Sequence, residues 1–315
     1  MNQFGTDWLP PGVSVHRFSH KAMATTFELF CSHPDPEYCE QAAWRCFDLI
    51  DRIEGDLSRF VENSDISRIG GLLPGEIARV SQWTMECLLL SKLAHQVTGG
   101  AFDISLGSGL EQLELDPETF RAAVGTEGIR LDLGGIGKGY ALDRAAEIVR
   151  EWDIDRFLLH GGYSSVLAGE APEGLSGWPL SMSIPGEDAQ PVFHVMEANR
   201  IAMSASGLMK GPHIVNPAEP AGALHHTAAW VSGNCGELGV FSRTALTSQT
   251  GWQFNESPAA VAEFFSTALI IGSRSDVEAW SRVCPGLQCW VLEEDSDRGR
   301  RAVRRLPQGD SVYAT

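Results

Sequence analysis

The sequence is short of basic residues, and this limits what the protein can bind. It has 24 Lys and Arg against 41 Asp and Glu, which gives a net charge of −17 at pH 7. A chain this acidic binds nucleic acid or an anionic membrane poorly unless it carries a local basic patch. Its one basic run, residues 298–305, is expected to be a solvated segment near the C-terminus. We therefore expect no nucleic-acid partner.

Long apolar runs and paired cysteine motifs are also missing. No stretch of about 18 apolar residues is present, so no membrane insertion is expected. The first residues contain no apolar segment of the kind found in signal peptides. The seven cysteines are odd in number and include no CxxC pair, which suits free thiols in a reducing compartment. These features together favour a cytoplasmic protein.

The residues that are present predict a mixed α+β fold. With 315 residues and 43% hydrophobic content the chain can bury a large core, and its 33 glycines indicate many turns. Apolar residues recur at helical spacing in some segments and alternate in others, with the strands mostly in hairpins. We predict helices over 36–54, 81–97, 138–152 and 259–272, and strands over 23–32, 129–134 and within 155–169.

These patterns also suggest how the chain is divided. We expect an N-terminal extension over residues 1–19, one α+β domain over 20–290 with mixed or antiparallel sheets and packed helices, and a charged C-terminal tail over 291–315. Residues 218–258 include "HTAAWVSG", which has the pattern of a strand. A surface hairpin is the favoured interpretation of that segment, ahead of a metal site built on His225 and His226.

The most distinctive stretch is "LDLGGIGKGYALD", residues 131–143. A glycine turn before a helix offers backbone amides and a positive helix end to an anion. The stretch fits neither the P-loop pattern nor the dinucleotide fingerprint. Phosphate binding and a plain tight turn with a surface lysine both remain open from the pattern alone. The flanking Asp132 and Asp143 would suit a cation or a ribose hydroxyl beside the anion.

Extended over residues 131–149, this stretch resembles the central motif of the ApbE-type FAD:protein FMN transferases. Other segments resemble that family in the same order, from about residue 20 to about residue 275. They are "MATTFEL", "LSRFVENSDISRI", "VTGGAFDISLG", "LLHGGYSSVLAG", "AMSASG" followed by "HIVNPAEP", and "AEFFSTALIIG". Each motif is weak, but their shared order makes the resemblance specific.

The resemblance implies an activity. Members of the family bind FAD and a divalent cation, usually Mg²⁺, transfer FMN to a Thr or Ser hydroxyl of a small target protein, and release AMP. Two alternatives remain on the same scaffold: hydrolysis of FAD to FMN and AMP, and FAD binding without chemistry. The chain contains no segment like the family's acceptor motif, so we do not expect it to modify itself.

The resemblance also implies site residues. Met23 and Phe60 would enclose the adenine, since an aromatic face suits a purine. His213 would be the general base, although a histidine that only hydrogen-bonds a turn is the simpler alternative. The other implied FAD-binding residues are Thr25, Asp132, Gly134, Gly135, Lys138, Asp143 and Ser206. The implied metal ligands are the Gly137 carbonyl, Glu263 and Thr267, oxygen donors that suit Mg²⁺.

Several positions depart from the family's pattern. Glu263, Tyr163 and Asn216 each stand where the family has Asp, and residues 218–258 form a longer link than usual. The extra methylene of Glu263 would displace a metal, and Tyr163 removes a negative charge. We further expect Gly134–Lys138 to line the largest cleft.

Overall fold

The structure is a computed structural model, and it describes residues 11–184, 192–208, 214–217, 224–295, 300–308 and 310–314. Its main element is a nine-stranded sheet in which every neighbouring pair is antiparallel. In spatial order, and numbered along the chain, the strands are β1 (Val15–Ala22), β2 (Thr25–Ser32), β6 (Phe157–Gly161), β7 (Ser165–Ala168), β10 (Ile201–Gly207), β11 (Ala228–Asn234), β12 (Gln288–Asp295), β13 (Arg300–Leu306) and β14 (Asp310–Ala314).

Two smaller sheets and a set of helices complete the described fold. The small sheets are also antiparallel. They comprise β3 (Ile77–Arg79), β5 (Arg121–Val124) and β4 (Leu113–Asp116), and the hairpin of β8 (Trp178–Ser183) with β9 (Val192–Ala198). The helices are α1 (Pro36–Leu57), α2 (Asp65–Gly70), α3 (Gln82–Val97), α4 (Gly137–Glu151), α5 (Cys235–Thr250), α6 (Pro258–Ile271) and α7 (Arg274–Val283).

Local sequence explains where several helices begin. Asp35 caps α1 by accepting from the amides of Glu37 and Tyr38, and Pro36 occupies its first position. Ser81 caps α3 through the amide of Thr84. Ser273 and Asp276 form a capping box at the start of α7. None of the described helices is both long and apolar enough to cross a bilayer.

The core has two parts, one on each face of the main sheet. On one face, α6 packs against β10 and β11 and also contacts α4 and α5. Nearly all residues of α6 are buried, which explains its apolar sequence "PAAVAEFFSTALII". On the other face, Trp178 and Leu180 of the β8–β9 hairpin pack with Trp230 and Trp290 of the sheet. The predicted α+β class with antiparallel sheets is confirmed.

The predicted strand at 129–134 is wrong. Ile129, Leu131 and Leu133 are buried in the expected alternation, but the segment pairs with no strand. Its backbone bonds a loop instead, because the Asp132 amide donates to the Ile104 carbonyl at 2.7 Å and the Arg130 amide to Ser108 Oγ at 3.0 Å. Alternating burial therefore reflects an extended chain here, not a sheet.

The structure also corrects the expectations for the later segments. The described part of 218–258 holds β11 and the sixteen-residue helix α5, not a surface hairpin. Asn234 caps α5 through the amide of Gly236. The segment expected to be a charged tail contributes β13 and β14 to the main sheet, and β1 starts at Val15, inside the expected extension. The sheet therefore runs past both boundaries drawn from the sequence.

Candidate functional site

The glycine turn lies where α4 crosses the apolar helix α6. A Cβ placed at Gly139 would lie 2.6 Å from the carbonyl carbon of Ala259 and 2.7 Å from the amide nitrogen of Ala260. A Cβ at Gly135 would lie 3.1 Å from Thr267 Oγ1. The Gly139 distances are too short for any side chain, so this glycine allows the start of α4 to contact the α6 backbone directly. Gly135 lies close against the side chain of Thr267.

A buried ion pair joins the two helices at this crossing. The ammonium of Lys138 contacts the carboxylate of Glu263, which is only 3% exposed. Glu263 also accepts from the Gly139 amide at 2.5 Å and from Ser165 Oγ at 3.3 Å. A buried carboxylate requires partners of this kind. Ile136 makes no side-chain cap for α4, so Glu263 caps the third amide of α4 from another helix.

A line of polar contacts leads from this ion pair to an exposed aromatic ring. The Gly134 amide donates to Asp132 Oδ1 at 2.9 Å, and Arg59 Nε lies 3.0 Å from Asp132 Oδ2. The guanidinium carbon of Arg59 lies 4.4 Å from the ring centroid of Phe60. The Phe60 side chain is 82% exposed, so one face of the ring is open to a ligand. Arg59 was not predicted, although it directly precedes Phe60 in the sequence.

Hydroxyl groups from β10 and α6 form a cluster beside the turn. Ser206 Oγ lies 3.2 Å from Thr267 Oγ1 and 2.8 Å from Ser266 Oγ. Ser266 in turn donates to Ser204 at 3.1 Å. The structure thus brings together the predicted Ser206 and Thr267, and it adds two serines. The "SAS" alternation in β10 was the signal for Ser204, because residues two apart lie on the same face of a strand.

The "MATT" segment reaches the site through a second glycine turn. Met23 and Ala24 form the two-residue turn between β1 and β2, with φ of 49° and 55°. The next residue, Thr25, has its hydroxyl against Gly162, where a Cβ would overlap it. Gly162 belongs to the turn between β6 and β7. The first residue of β7 is Ser165, whose hydroxyl donates to Glu263. At the same turn Tyr163 projects into solvent and is 99% exposed.

Asp143 occupies a structural position on the same pair of helices. It is 2% exposed, and its two oxygens accept from the amides of Ala259 and Ala260 at 2.9 Å each. The carboxylate therefore caps α6, more than one turn along α4 from Lys138. Burial raises its pKa from 3.8 to about 7, against the opposing effects of the Arg144 guanidinium and the two amides.

The predicted general base, His213, lies outside the described residues. The described segment just after it, residues 214–217, packs against the loop around Gly107, which lies beside the extended segment that leads to the glycine turn. A Cβ at Gly107 would lie 2.9 Å from the carbonyl oxygen of Pro217. This loop is the one whose Ile104 carbonyl accepts from the Asp132 amide.

Two cavities lie away from the glycine turn. One of about 440 Å³ is lined by the second half of α4 and by α5, including Arg150, Arg200 and Arg243. Another of about 540 Å³ is lined by His225, His226 and their neighbours. Neither is lined by Gly134–Lys138, and the expectation that the turn lines the largest cleft stays a prediction. The described residues hold no cluster of three or more His, Cys, Asp or Glu placed to bind a metal.

The predicted magnesium ligands are all oxygen donors. Glu263 and Thr267, one helical turn apart on α6, both face the turn that leads to the carbonyl of Gly137. Mg²⁺ in phosphate sites is often held by one or two carboxylates, with waters and substrate phosphates completing the shell. These oxygens fit such an ion. The ammonium of Lys138, however, already contacts the carboxylate that would bind it.

Taken together, a lysine at a helix N-terminus, a glycine turn and an exposed aromatic ring are typical of proteins that bind nucleotide phosphates. The ApbE family matches residues 23–121 and 108–289, and the chain belongs to this family. The FAD:protein FMN transferase of Klebsiella pneumoniae is 25% identical over 198 residues, which cover 53% of this chain and 60% of that protein. The enzyme of the same name from Vibrio cholerae is 21% identical over 227 residues, which cover 62% of this chain and 67% of that one.

Solved structures agree with this assignment at the level of fold. The flavin transferase ApbE from Vibrio cholerae has a TM-score of 0.75 at 14% identity and covers 93% of this chain and 97% of its own. The flavinyl transferase ApbE from Pseudomonas stutzeri in its apo form gives 0.73 at 17%, with 94% and 95% covered. The ApbE protein of Thermotoga maritima gives 0.72 at 19%, with 94% and 98% covered. The whole domain thus has the ApbE fold.

Proposed function

We propose that this protein is an FAD:protein FMN transferase. The observation that carries the proposal is Lys138, held at the N-terminus of α4 beside Glu263, Thr267 and the glycine turn within an ApbE fold. Its relatives from Klebsiella and Vibrio carry that name. The buried thiols suit a reducing compartment such as the cytoplasm.

FAD would bind along the line of contacts from Phe60 to Glu263. The adenine stacks on the open face of Phe60, on the side of Met23, and the ribose lies near Asp132. The pyrophosphate lies at the glycine turn, where Lys138 and the α4 N-terminus neutralise it. Thr25 and Ser206 contribute hydroxyls. Arg59 adds a second positive charge, paired with Asp132 as Lys138 is paired with Glu263.

The chain's own groups then position the reacting atoms. The acceptor hydroxyl oxygen bonds the phosphorus on the FMN side, and the bond from that phosphorus to the AMP oxygen breaks. His213 takes the hydroxyl proton, and AMP leaves with the electron pair. Lys138 offsets the charge on the phosphates. Glu263, which contacts Lys138 and accepts from Ser165, holds the start of α4 in position. Mg²⁺ held by Glu263, Thr267 and the Gly137 carbonyl would supply further neutralisation. Asp143 acts by positioning α6.

One observation favours a second candidate, an FAD-binding protein without transferase activity. Every oxygen of Glu263 already has a partner, and Tyr163 stands where the family has an acidic residue. Both features reduce the negative charge available to a divalent cation.

Incubation with FAD and Mg²⁺ tests the proposal. AMP is measured by chromatography, and flavin attached to protein by its fluorescence in a denaturing gel. The assay includes an acceptor protein with the D-x-x-[ST]-[GS]-A-[ST] segment that the family resemblance implies. AMP together with labelled acceptor supports the transferase, and AMP alone indicates a hydrolase. Bound FAD without AMP supports the second candidate. Lys138→Met should abolish AMP release, and Lys21→Met, on the exposed face of β1, is the matched control.

A further inference from the structure

Lys138 and Glu263 are both expected to contact something else in the working site. The lysine is expected to contact a phosphate and the glutamate a metal, yet the structure pairs them with each other. The remaining Glu263 contacts are the Gly139 amide at 2.5 Å and Ser165 at 3.3 Å. The carboxylate therefore meets three donors, and one of them, the ammonium, is itself a cation where the metal would lie.

The two partners differ in how freely they can leave. The Glu263 side chain is 4% exposed and the Lys138 side chain 21% exposed. Glu263 is fixed by an amide of α4, whereas the lysine ammonium sits at the end of a flexible four-carbon stem. Lys138 Nζ also lies 3.4 Å from the Gly134 carbonyl, on the glycine turn where the pyrophosphate is placed. A phosphate bound at the turn would attract the ammonium away from the carboxylate.

We propose that Lys138 occupies the place of the divalent cation until FAD binds, so that FAD binds before Mg²⁺. This inference rests on the proposed function, because it requires a pyrophosphate at the glycine turn. Without FAD, a metal would approach Glu263 against the lysine's positive charge. With FAD, the lysine pairs with the phosphates, and the oxygens of Glu263 become available to the metal. The exchange makes FAD and Mg²⁺ each strengthen the binding of the other by the same factor.

The experiment measures Mg²⁺ binding by titration calorimetry in the absence and presence of saturating FAD. Blank titrations of FAD with Mg²⁺ correct for binding in solution. FAD binding to the same samples is followed by quenching of flavin fluorescence. The proteins are the wild type, Lys138→Met, Lys138→Arg, and the surface control Lys21→Met, which makes the same change in net charge on β1.

For the wild type and Lys21→Met, we expect FAD to increase Mg²⁺ affinity at least tenfold. In the absence of FAD, Lys138→Met should bind Mg²⁺ at least tenfold more tightly than the wild type, whereas Lys138→Arg should bind it as weakly as the wild type. Mg²⁺ should also raise the melting temperature of FAD-free Lys138→Met but not of the wild type. If Lys138→Met does not fold, the two wild-type titrations decide the matter.

Two outcomes would overturn the exchange while leaving the proposed function intact. One is a wild type that binds FAD but has the same Mg²⁺ affinity with and without it. The other is a folded Lys138→Met whose Mg²⁺ affinity without FAD equals that of the wild type. A wild type that binds no FAD overturns the proposed function and the exchange together.

Discussion

At the scale of single residues, the site depends on the length of one side chain. Glu263 reaches from α6 to both Lys138 and the Gly139 amide of α4. An Asp at this position would carry its carboxylate one methylene closer to α6. The resemblance to the family implies Asp here, and in this chain the longer residue contacts Lys138, the Gly139 amide and Ser165.

Glu263→Asp is therefore expected to weaken both the helix contact and the activity. We expect a loss of about 1–3 kcal/mol in the free energy of unfolding, because the amide and the ammonium lose a buried partner. FAD turnover and Mg²⁺ affinity should fall as well. Urea denaturation and AMP release measure the two effects. Glu28→Asp on β2, a half-buried carboxylate paired with the exposed Arg17, is the control and should change stability by less than about 1 kcal/mol. Higher Mg²⁺ affinity in Glu263→Asp would contradict this account.

Phe60→Ala should weaken FAD binding without affecting the fold. The ring is 82% exposed and contributes little to the core, but its open face is the proposed stacking surface. Loss of one base–aromatic stack costs about 1–3 kcal/mol of binding free energy. Flavin fluorescence gives the dissociation constant. Trp44→Ala, which removes a 70% exposed aromatic from α1, should leave that constant unchanged. An unchanged constant in Phe60→Ala as well would place the adenine elsewhere.

Part of the site could be predicted from the sequence at this scale. The glycines, Lys138 and Phe60 lie in local motifs, and the structure places them on one connected line of contacts. The capping role of Asp143 could not be predicted, because its partners Ala259 and Ala260 are more than a hundred residues away along the chain. The pairing of Lys138 with Glu263 could not be predicted for the same reason.

At the scale of elements, the crossing of α4 and α6 is the critical contact. Gly139→Ala would place a methyl group against the backbone of Ala259 and force the helices apart. Overpacking of this kind costs about 1–3 kcal/mol, and it should also reduce FAD binding. Gly55→Ala on α1, where a Cβ meets nothing within 4 Å, is the matched helical control. It should be neutral or stabilise by up to about 1 kcal/mol. Equal stability of the two variants would show that the helices can separate freely.

Asp143 should make the stability of this crossing depend on pH. Its pKa rises on folding from 3.8 to about 7, chiefly through burial. The folded state therefore holds a proton that the unfolded state has lost, so stability falls as the pH rises from about 4 to about 7. Between pH 5 and pH 8 this contribution amounts to about 2–3 kcal/mol. Arg144, Glu147 and Cys235 are the other ionisable groups nearby.

Urea denaturation across this pH range measures the effect. Asp143→Asn cannot ionise and therefore lacks this contribution. The unfolding free energy of the wild type should fall by about 2–3 kcal/mol relative to that of the variant as the pH rises from 5 to 8. Asp153→Asn is the control, since this exposed residue has a left-handed backbone that Asn also adopts. A constant difference between wild type and Asp143→Asn from pH 5 to pH 8 would show that Asp143 is ionised throughout.

Four of the described helices were predicted from the sequence, and helices α5 and α7 were not. The helices predicted at 36–54, 81–97, 138–152 and 259–272 agree with α1, α3, α4 and α6 to within about three residues. Helix α5 was missed because "CGELGVFSRTALTSQT" is rich in Gly, Ser and Thr and has no clear apolar face. Its formation depends on packing against α6, which the local sequence does not reveal.

At the scale of the whole molecule, the C-terminal strands are part of the main sheet. Val303 and Leu306 of β13 are buried in the two core clusters on opposite faces of the sheet, and Arg304 and Arg305 between them are half-buried. The sequence showed mainly the arginines, and a solvated tail was the natural expectation. Strand order in a large antiparallel sheet depends on pairings between distant segments, which periodicity alone cannot give.

The seven cysteines give this protein an internal reporter of its own opening. All are buried and free, in elements spread from β2 to β12, and burial raises the pKa of Cys46 and Cys235 to about 12. A thiol reagent should therefore modify none of them quickly in the native state and all seven in urea. Mass spectrometry of partly labelled protein would then rank the elements by how often each exposes its thiol. Added FAD should slow the labelling of Cys87 in α3 and of Cys235 in α5 more than the labelling of Cys31. The reason is that α3 and α5 pack on the helices that hold the ligand.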